Sequence, residues 1–503
     1  MGSELVEMKM SPLKSISLTP SPHHLHDSTN KPKAPKSPFS AKILMSPLAS
    51  PMKKALTYME EIGQLTMLHD DWLPITESRS GNAYYAAFHT LSSGIGVQAL
   101  LLPLAFITLG WIWGIISLSL IFMWQLYTLW LLIQLHETVP GMRCSRYLHL
   151  SMAAFGEKLG KILALLPTMY LSGGTCVTLI MIGGSTMKIF FQTVSNSDSH
   201  ITPLSTIEWY LVFTVSAIVL AQLPNLNSIA GISLIGSISA VTYCTLTWVV
   251  SVVKERPQGV SFEPVESKSD VARICGILNA LGMIAFAFRG HNLVLEIQGT
   301  MPSSLKNPSH VPMWKGVKFS YSIIALCLFP LAIGGYWAYG NLMPNGGILS
   351  ALDKYHGEDT SKAILGIASL LVVVHCLTSF QIYAMPVFDN LEFRYTSNKK
   401  QPCPWWLRTG LRIFFGCLAF FISVALPFLP SLAGLIGGIA LPVTLAYPCL
   451  MWIMIKKPTR YSPIWFVNWS LGLLGLVLSV LLVFGAIWTI ATQGMDVHFF
   501  KLQ

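Results

Sequence analysis

The sequence predicts an all-α integral membrane protein with about eleven membrane-spanning helices in a five-plus-five inverted repeat. Three observations support this fold class. Of the 503 residues, 52% are hydrophobic and only 11% are charged, whereas soluble globular proteins carry about 25% charged residues. Apolar segments of about twenty residues, long enough to cross the hydrocarbon core, recur along the chain. Two of them are interrupted by glycines at matching positions in the two halves of the chain, as in transporters built from inverted repeats.

The predicted spans follow one another closely. They lie at about 83–107, 110–134, 162–190, 207–223, 227–252, 273–298, 317–339, 362–388, 408–428, 431–455 and 464–491. Spans one to five and six to ten start on opposite sides and have similar lengths, as an inverted repeat of broken helices 1 and 6 requires. The eleventh span lies outside the repeat. We therefore expect one transmembrane transporter domain over residues 81–495.

Residues 1–75 are expected to form a separate, disordered tail. They are rich in Ser, Pro and Lys and lack apolar periodicity, so they cannot bury enough apolar surface to fold alone. Six Ser-Pro or Thr-Pro pairs lie between residues 11 and 51. Two interpretations remain open: these pairs are sites for proline-directed kinases, or the tail only keeps the protein soluble.

Lys and Arg are unevenly distributed among the predicted loops, and this sets the orientation. The loops predicted to be cytosolic are rich in both residues and lie at 135–161, 299–316, 389–407 and 456–463. The loop at 253–272, with Lys254, Arg256 and Lys268, is a tolerated exception. The N-terminus is then cytosolic, and an odd number of spans makes the C-terminus extracellular. The positive-inside rule accounts for the excess of Lys and Arg and hence for the net charge of +10. No nucleic acid partner is therefore expected.

The first interruption is the run from Ser92 to Gly96. A half-helix is expected to begin after it, with its unpaired N–H groups and positive dipole end near the membrane midplane. Such a helix end binds carboxylates. The candidate substrate-binding residues here are Ser93, Gly94, Gly96, Val97 and Gln98. The alternative is a glycine kink that only lets two helices pack closely.

The second interruption places Arg289 and Gly290 inside an apolar segment. Charge within a membrane is costly and usually faces protein or water. The carbonyl groups of Phe286 and Ala287, at the end of the preceding half-helix, suit an ammonium group. Because Arg289 stays charged at any realistic pH, we expect it either to bind a substrate carboxylate or to pair with an acid such as Glu296.

Three residues in apolar surroundings are candidates for coupling transport to protons: His291, Glu296 and His375. Each can titrate inside the membrane. A satisfied core histidine is the alternative for His291. Ser379, on the same predicted helix as His375, and Tyr170, in span three, are further candidates for lining a substrate path. Ordinary packing or hydrogen bonding between helices is the alternative for both.

No sequence pattern predicts an enzyme. The chain lacks an H-E-x-x-H motif, a C-x-x-C pair and a Walker A motif, so neither a metal site, a cofactor nor ATP is expected. The expected partners are a transported substrate, protons and the lipid bilayer. The alternative function is a signalling receptor that retains a transporter fold, which the long tail supports.

Five motifs carry a family resemblance. They are HETVPG at 136–141, LPNLNS at 223–228, GHNLVLEIQ at 290–298, QIYAMPVFD at 381–389 and PCLMW at 448–452. With these motifs, the chain from residue 81 onward resembles the plant lysine/histidine transporter-like proteins of the amino acid/auxin permease family. The resemblance implies a bundle like that of bacterial sodium-coupled amino acid transporters. It also implies proton-coupled import of amino acids by alternating access, at the plasma membrane.

The chain departs from the family pattern at three places. Family members typically read Gly-Ala-Gly where this chain has Gly96, Val97 and Gln98. An acidic pair in span three of better-known members aligns with Gly173 and Val177, and a small residue aligns with Arg289. Two acids lost and one base gained make the expected pocket more electropositive. Neutral or acidic amino acids are therefore expected to be favoured over basic ones.

Overall fold

The computed structural model is all-helical over the residues that it describes, which confirms the predicted fold class. These residues are 73–76, 79–139, 142–194, 204–223, 230–263, 269–288, 290–304, 306–426 and 429–492. The chain divides into two units, Met1–Leu56 and Thr57–Gln503, and every described residue belongs to the second. Of the predicted tail, only the stretch 73–75 is described, with Leu73 and Ile75 buried. Arg289 lies outside the described residues.

The helices are numbered here in chain order. They are α1 (Ala83–Gly94), α2 (Leu102–Leu135), α3 (Tyr147–Phe155), α4 (Glu157–Val194), α5 (Thr206–Leu220), α6 (Ala230–Val253), α7 (Asp270–Ala287), α8 (His291–Gly299), α9 (His310–Tyr339), α10 (Ile348–His356), α11 (Lys362–Lys399), α12 (Trp405–Ala425), α13 (Leu429–Leu441), α14 (Tyr447–Lys456) and α15 (Pro463–Thr492). A 3-10 helix, Val97–Leu101, precedes α2, and a π-helical turn, Pro442–Ala446, joins α13 to α14.

Nine helices within the described ranges are long and apolar enough to cross a membrane, so the chain is a multi-pass membrane protein. The count of eleven spans and the inverted repeat stay predictions. Gly110 marks the predicted boundary between spans one and two. Its φ of 69° and ψ of −176° interrupt the helix that runs through α2, and a positive φ of this kind favours glycine.

Both predicted interruptions are present. Helix α1 ends at Gly94 and the next helical residue is Val97, while α7 ends at Ala287 and α8 begins at His291. Between them, Ile95 and Phe288 form an antiparallel β-bridge. The backbone of the first break therefore contacts the backbone of the second.

Helices α7 and α13 approach each other through glycines. A Cβ on Gly282 would lie 2.8 Å from Gly434 O and 3.2 Å from Gly434 Cα. A Cβ on Gly437 would likewise meet Gly282 O. Small residues let helix backbones pack closely in membranes, where burial of apolar surface gives little driving force between helices. This contact supports α7, which leads into the second break.

We predict that Gly282→Ala lowers the free energy of unfolding by about 1–3 kcal/mol, because the new methyl group overpacks a backbone contact that cannot yield cheaply. Gly276→Ala is the matched control on the same helix. Its Cβ would meet Thr108 Cγ2 at 3.6 Å, an ordinary contact, and alanine is the better helix former. Thermal unfolding of the purified proteins in detergent measures both. Equal unfolding midpoints for the two variants would contradict the close contact.

Candidate substrate-binding site

Helix α11 supplies polar groups to the broken end of α1. Two of its side chains donate to carbonyl oxygens of α1: Tyr383 Oη to Ser93 O at 2.7 Å and Ser379 Oγ to Ser92 O at 3.2 Å. A third, His375, has its Nε2 2.7 Å from the carbonyl oxygen of Ile95, just after α1. The three side chains are four residues apart and fully buried, so they share one face of α11. A helix end leaves its last carbonyl groups unpaired. This face of α11 satisfies them.

The second break lies directly against the first. Gly290 has a φ of 107°, a left-handed conformation that glycine adopts without strain. A Cβ at this position would lie 3.1 Å from Ser93 Oγ. Phe286 and Ala287, at the end of α7, are also buried. The structure therefore brings together Ser93 and Gly290, which the sequence predicted from separate halves of the chain.

Two amide side chains tie the breaks to α4. Gln98 Nε2 donates to Thr178 Oγ1 at 2.6 Å, and Asn292 Nδ2 donates to Ser172 Oγ at 3.0 Å. The remaining oxygens, Gln98 Oε1 and Asn292 Oδ1, are buried and have no hydrogen-bond donor among the described residues. A buried acceptor without a donor is costly. These two oxygens are suited to accept hydrogen bonds from a bound ligand such as an ammonium group.

Gln125 of α2 links the two halves of the second break. Its side chain donates to Ala285 O of α7 at 3.2 Å, and its backbone oxygen lies 3.0 Å from Nε2 of His291 in α8. His291 Nε2 also lies 3.1 Å from Thr128 Oγ1. His291 therefore contacts α2, while the predicted residues of the first break contact α11 and α4.

Glu296 lies apart from the crossing of the breaks and interacts electrostatically with Asp389 and Arg146. Arg146 and Asp389 form a buried two-bond ion pair, with Nε to Oδ2 at 2.5 Å and Nη2 to Oδ1 at 3.2 Å. Arg146 Nη2 also donates to Thr76 Oγ1 at 3.3 Å. We call Thr76, Arg146 and Asp389 the Arg146 cluster. It joins the segment before α1, the start of α3 and α11.

The predicted site residues do not all lie at the crossing of the two breaks. Gly94, Gly96 and Val97 are buried in or beside the first break. Tyr170 is partly buried on α4, and none of the hydrogen bonds found among the described residues joins it to the other candidates. Sequence reasoning missed Tyr383, although its spacing of four from Ser379, and of eight from His375, marks one helical face. Gln125 and Asn292 carried no comparable signal.

We predict that Asp389→Asn opens the Arg146 cluster and speeds maleimide labelling of Cys144. Cys144 is fully buried, its N–H donates to His136 O at 2.8 Å, and burial raises the pKa of its thiol to about 12. The thiol therefore stays protonated and unreactive near pH 7. Exposure returns the pKa toward its ordinary value, and each unit of decrease raises the reactive thiolate fraction about tenfold.

The labelling is measured in a protein whose only cysteine is Cys144. Lys161→Ala is the matched control, because it breaks the exposed Lys161–Glu157 pair, and exposed pairs contribute little. Unchanged labelling of Asp389→Asn would mean that the ion pair does not hold this end of the bundle closed.

Comparison with known proteins identifies the family. Residues 79–492 match the model of the family described as "Transmembrane amino acid transporter protein". Lysine histidine transporter-like 8 of Arabidopsis thaliana is 56% identical over 511 residues, covering 99% of this chain and 98% of the relative. Lysine histidine transporter-like 7 of the same organism is 47% identical, covering 86% and 90% respectively.

The fold of this chain also resembles that of a solved structure. The crystal structure of MhsT in complex with L-phenylalanine superposes with a TM-score of 0.52 at 12% sequence identity. The match covers 81% of this chain and 99% of that one. The broken helices, the extent of the family match and the close relatives agree. The chain belongs to the transmembrane amino acid transporter family, the amino acid/auxin permeases.

Proposed function

We propose that this transporter is a proton-coupled symporter that imports amino acids across the plasma membrane by alternating access. The observation that carries the proposal is the contact between the two breaks, where Ile95 pairs with Phe288 and Ser93 lies against Gly290. Unwound backbone buried at the crossing of two helices offers both polar ends of a helix to a zwitterion. The names of the relatives support an amino acid as that zwitterion.

The carboxylate and the ammonium group of an amino acid are assigned to different helix ends at the two breaks. The N–H groups of Gly96, Val97 and Gln98 begin the half-helix after the first break and suit the carboxylate. The ammonium group suits the carbonyl end of α7, near Phe286 and Ala287, together with the free amide oxygen of Asn292. Ser93, Gly94 and Gly290 give the backbone room for this contact. Tyr170 and Ser379 are proposed to flank the pocket.

The Arg146 cluster is proposed to close the cytosolic end of the bundle. Its Arg146–Asp389 pair, its bond to Thr76 and the bond from Gly81 N to Thr300 O at 3.0 Å hold the segment before α1 in place. Alternating access requires this end to open and the opposite end to close. In this proposal residues 81–495 form the transporter, the N-terminus with its 1–75 tail is cytosolic, the C-terminus is extracellular, and kinases acting on the tail are candidate partners.

Proton coupling is assigned to the titratable groups near the breaks, with His291, Glu296 and His375 as candidates.

We predict that uptake of labelled alanine into proteoliposomes proceeds without sodium and increases as the external pH falls from 8 to 5, a range that spans the ordinary histidine pKa of about 6.5. Vesicles clamped at equal internal and external pH are the control. Sodium-dependent uptake with no response to pH would contradict proton coupling. No concentrative uptake of any amino acid would favour a receptor that retains the fold.

Substrate preference is proposed from the charge of Arg289, which lies outside the described residues. A second positive charge about 4 Å away costs about 4 kcal/mol at an effective dielectric constant of 20, and each 1.4 kcal/mol is about tenfold in affinity. We predict that alanine and glutamate compete for uptake better than lysine does. Arg289→Ala is expected to admit lysine and to weaken glutamate. Equal competition by lysine and alanine in the unaltered protein would exclude this electrostatic selection.

A further inference from the structure

Each ring nitrogen of His375 faces a backbone carbonyl oxygen. Nδ1 lies 3.0 Å from Gly236 O of α6, and Nε2 lies 2.7 Å from Ile95 O in the first break. A carbonyl oxygen only accepts hydrogen bonds, and a neutral imidazole has a single N–H. Both contacts are hydrogen bonds only when the ring carries two protons. We propose that His375 binds the coupled proton, an inference that rests on the proposed proton-coupled transport.

The surroundings of His375 favour a cation. Ile95 is the C-cap residue of α1, and the carbonyl end of a helix carries partial negative charge. Ser379 Oγ, which donates to Ser92 O, lies 3.2 Å from His375 Nε2, so its lone pair is directed to accept from the ring. A buried charge without such partners would be costly inside a membrane. Here the partners are backbone dipoles on two neighbouring helices.

The other two histidines near the breaks differ in this respect. His89 Nδ1 lies 2.8 Å from Ser233 Oγ, a hydroxyl that can donate or accept, and its Nε2 has no partner among the described residues. His291 Nε2 faces Gln125 O, while its Nδ1 is equally without a partner in the described part of the chain. A single N–H accounts for the ring contacts of each of these histidines, so neither geometry requires a second proton. The geometry therefore separates His375 from the other two.

The helices that pack against α11 carry other titratable side chains. Apart from those of α12, they are Tyr84, Tyr85 and His89 on α1, Glu157, Lys158, Lys161, Tyr170, Cys176 and Lys188 on α4, Glu208 and Tyr210 on α5, Tyr243 and Cys244 on α6, and His291 and Glu296 on α8. The Tyr243 ring contacts His375, with centroids 5.5 Å apart. Neither α1 nor α6 contains Asp, Glu, Lys or Arg. Arg408 and Arg412 of α12 pair instead with Glu392, further along α11.

Protonation of His375 couples directly to the position of α1. The doubly protonated ring holds α1 and α6 against α11 through the Ile95 and Gly236 carbonyl groups. Loss of one proton to water removes one of these bonds and turns a ring lone pair toward a carbonyl oxygen. That contact is repulsive, so the broken end of α1 is released. The proton enters from the outer side and leaves on the cytosolic side with each imported substrate.

The test compares His375→Gln with His89→Gln, a matched change of a buried histidine, in proteoliposomes. Counterflow of labelled alanine at equal pH measures binding and the conformational change. Accumulation driven by an inward gradient of one pH unit, with the membrane potential clamped at zero, measures coupling. Such a gradient supports up to about tenfold accumulation at one proton per substrate, because one pH unit is equivalent to 1.36 kcal/mol. His375→Gln is expected to keep counterflow and to accumulate no alanine, whereas His89→Gln keeps both.

The outcomes separate the two proposals. Accumulation by His375→Gln equal to that of the unaltered protein overturns the assignment of His375 and leaves proton coupling intact. An unaltered protein that ignores the pH gradient overturns both. Loss of counterflow by a folded His375→Gln also contradicts the assignment, because the residue would then serve transport itself. Where His375→Gln unfolds in detergent, His375→Asn replaces it in the same two assays. Intact counterflow without accumulation supports the assignment, and accumulation equal to that of the unaltered protein overturns it.

Discussion

The structure depends on one constraint: carbonyl groups freed by a helix break inside an apolar bundle must find donors. An unsatisfied backbone group in apolar surroundings costs several kcal/mol. The break after α1 exposes carbonyl groups at Ser92, Ser93 and Ile95, and one face of α11 meets all three. The broken helix and the polar face of α11 are therefore linked, because this face supplies the partners of the carbonyl groups at the break.

The donors that satisfy the breaks differ in kind, and in the proposed mechanism this difference links stability to proton coupling. Tyr383 and Ser379 carry hydroxyl groups that donate at any working pH. His375 donates to both of its carbonyl partners only when protonated. The bonds from Tyr383 and Ser379 form at any working pH, whereas one of the two bonds from His375 requires the second ring proton. A single helix face thus combines permanent support with a group whose bonding follows the proton.

Two buried amide oxygens beside the breaks have no hydrogen-bond donor among the described residues. Elsewhere in the bundle, Arg412 uses its Nη1 to donate to Ala221 O and Leu223 O at 2.5 and 2.9 Å. Gln98 and Asn292 instead use their nitrogens to bind α4 and leave their oxygens buried without donors. Away from this crossing, close glycine contacts between α7 and α13 and the Arg146 cluster position the half-helices around it.

The sequence by itself determined the all-helical membrane class, the position of both breaks and the residues that form them. These follow from local properties, namely the length of apolar segments and the glycines at 94, 96 and 290. The tertiary structure alone decided which groups meet. His375 was predicted from its apolar surroundings, but Ile95, 280 residues away, is set against it only by the packing of α11 on α1. Tyr383, Gln125 and Asn292 likewise gain their roles from partners distant in sequence. Local pattern fixes a helix and where it breaks, whereas a hydrogen bond across helices depends on their packing.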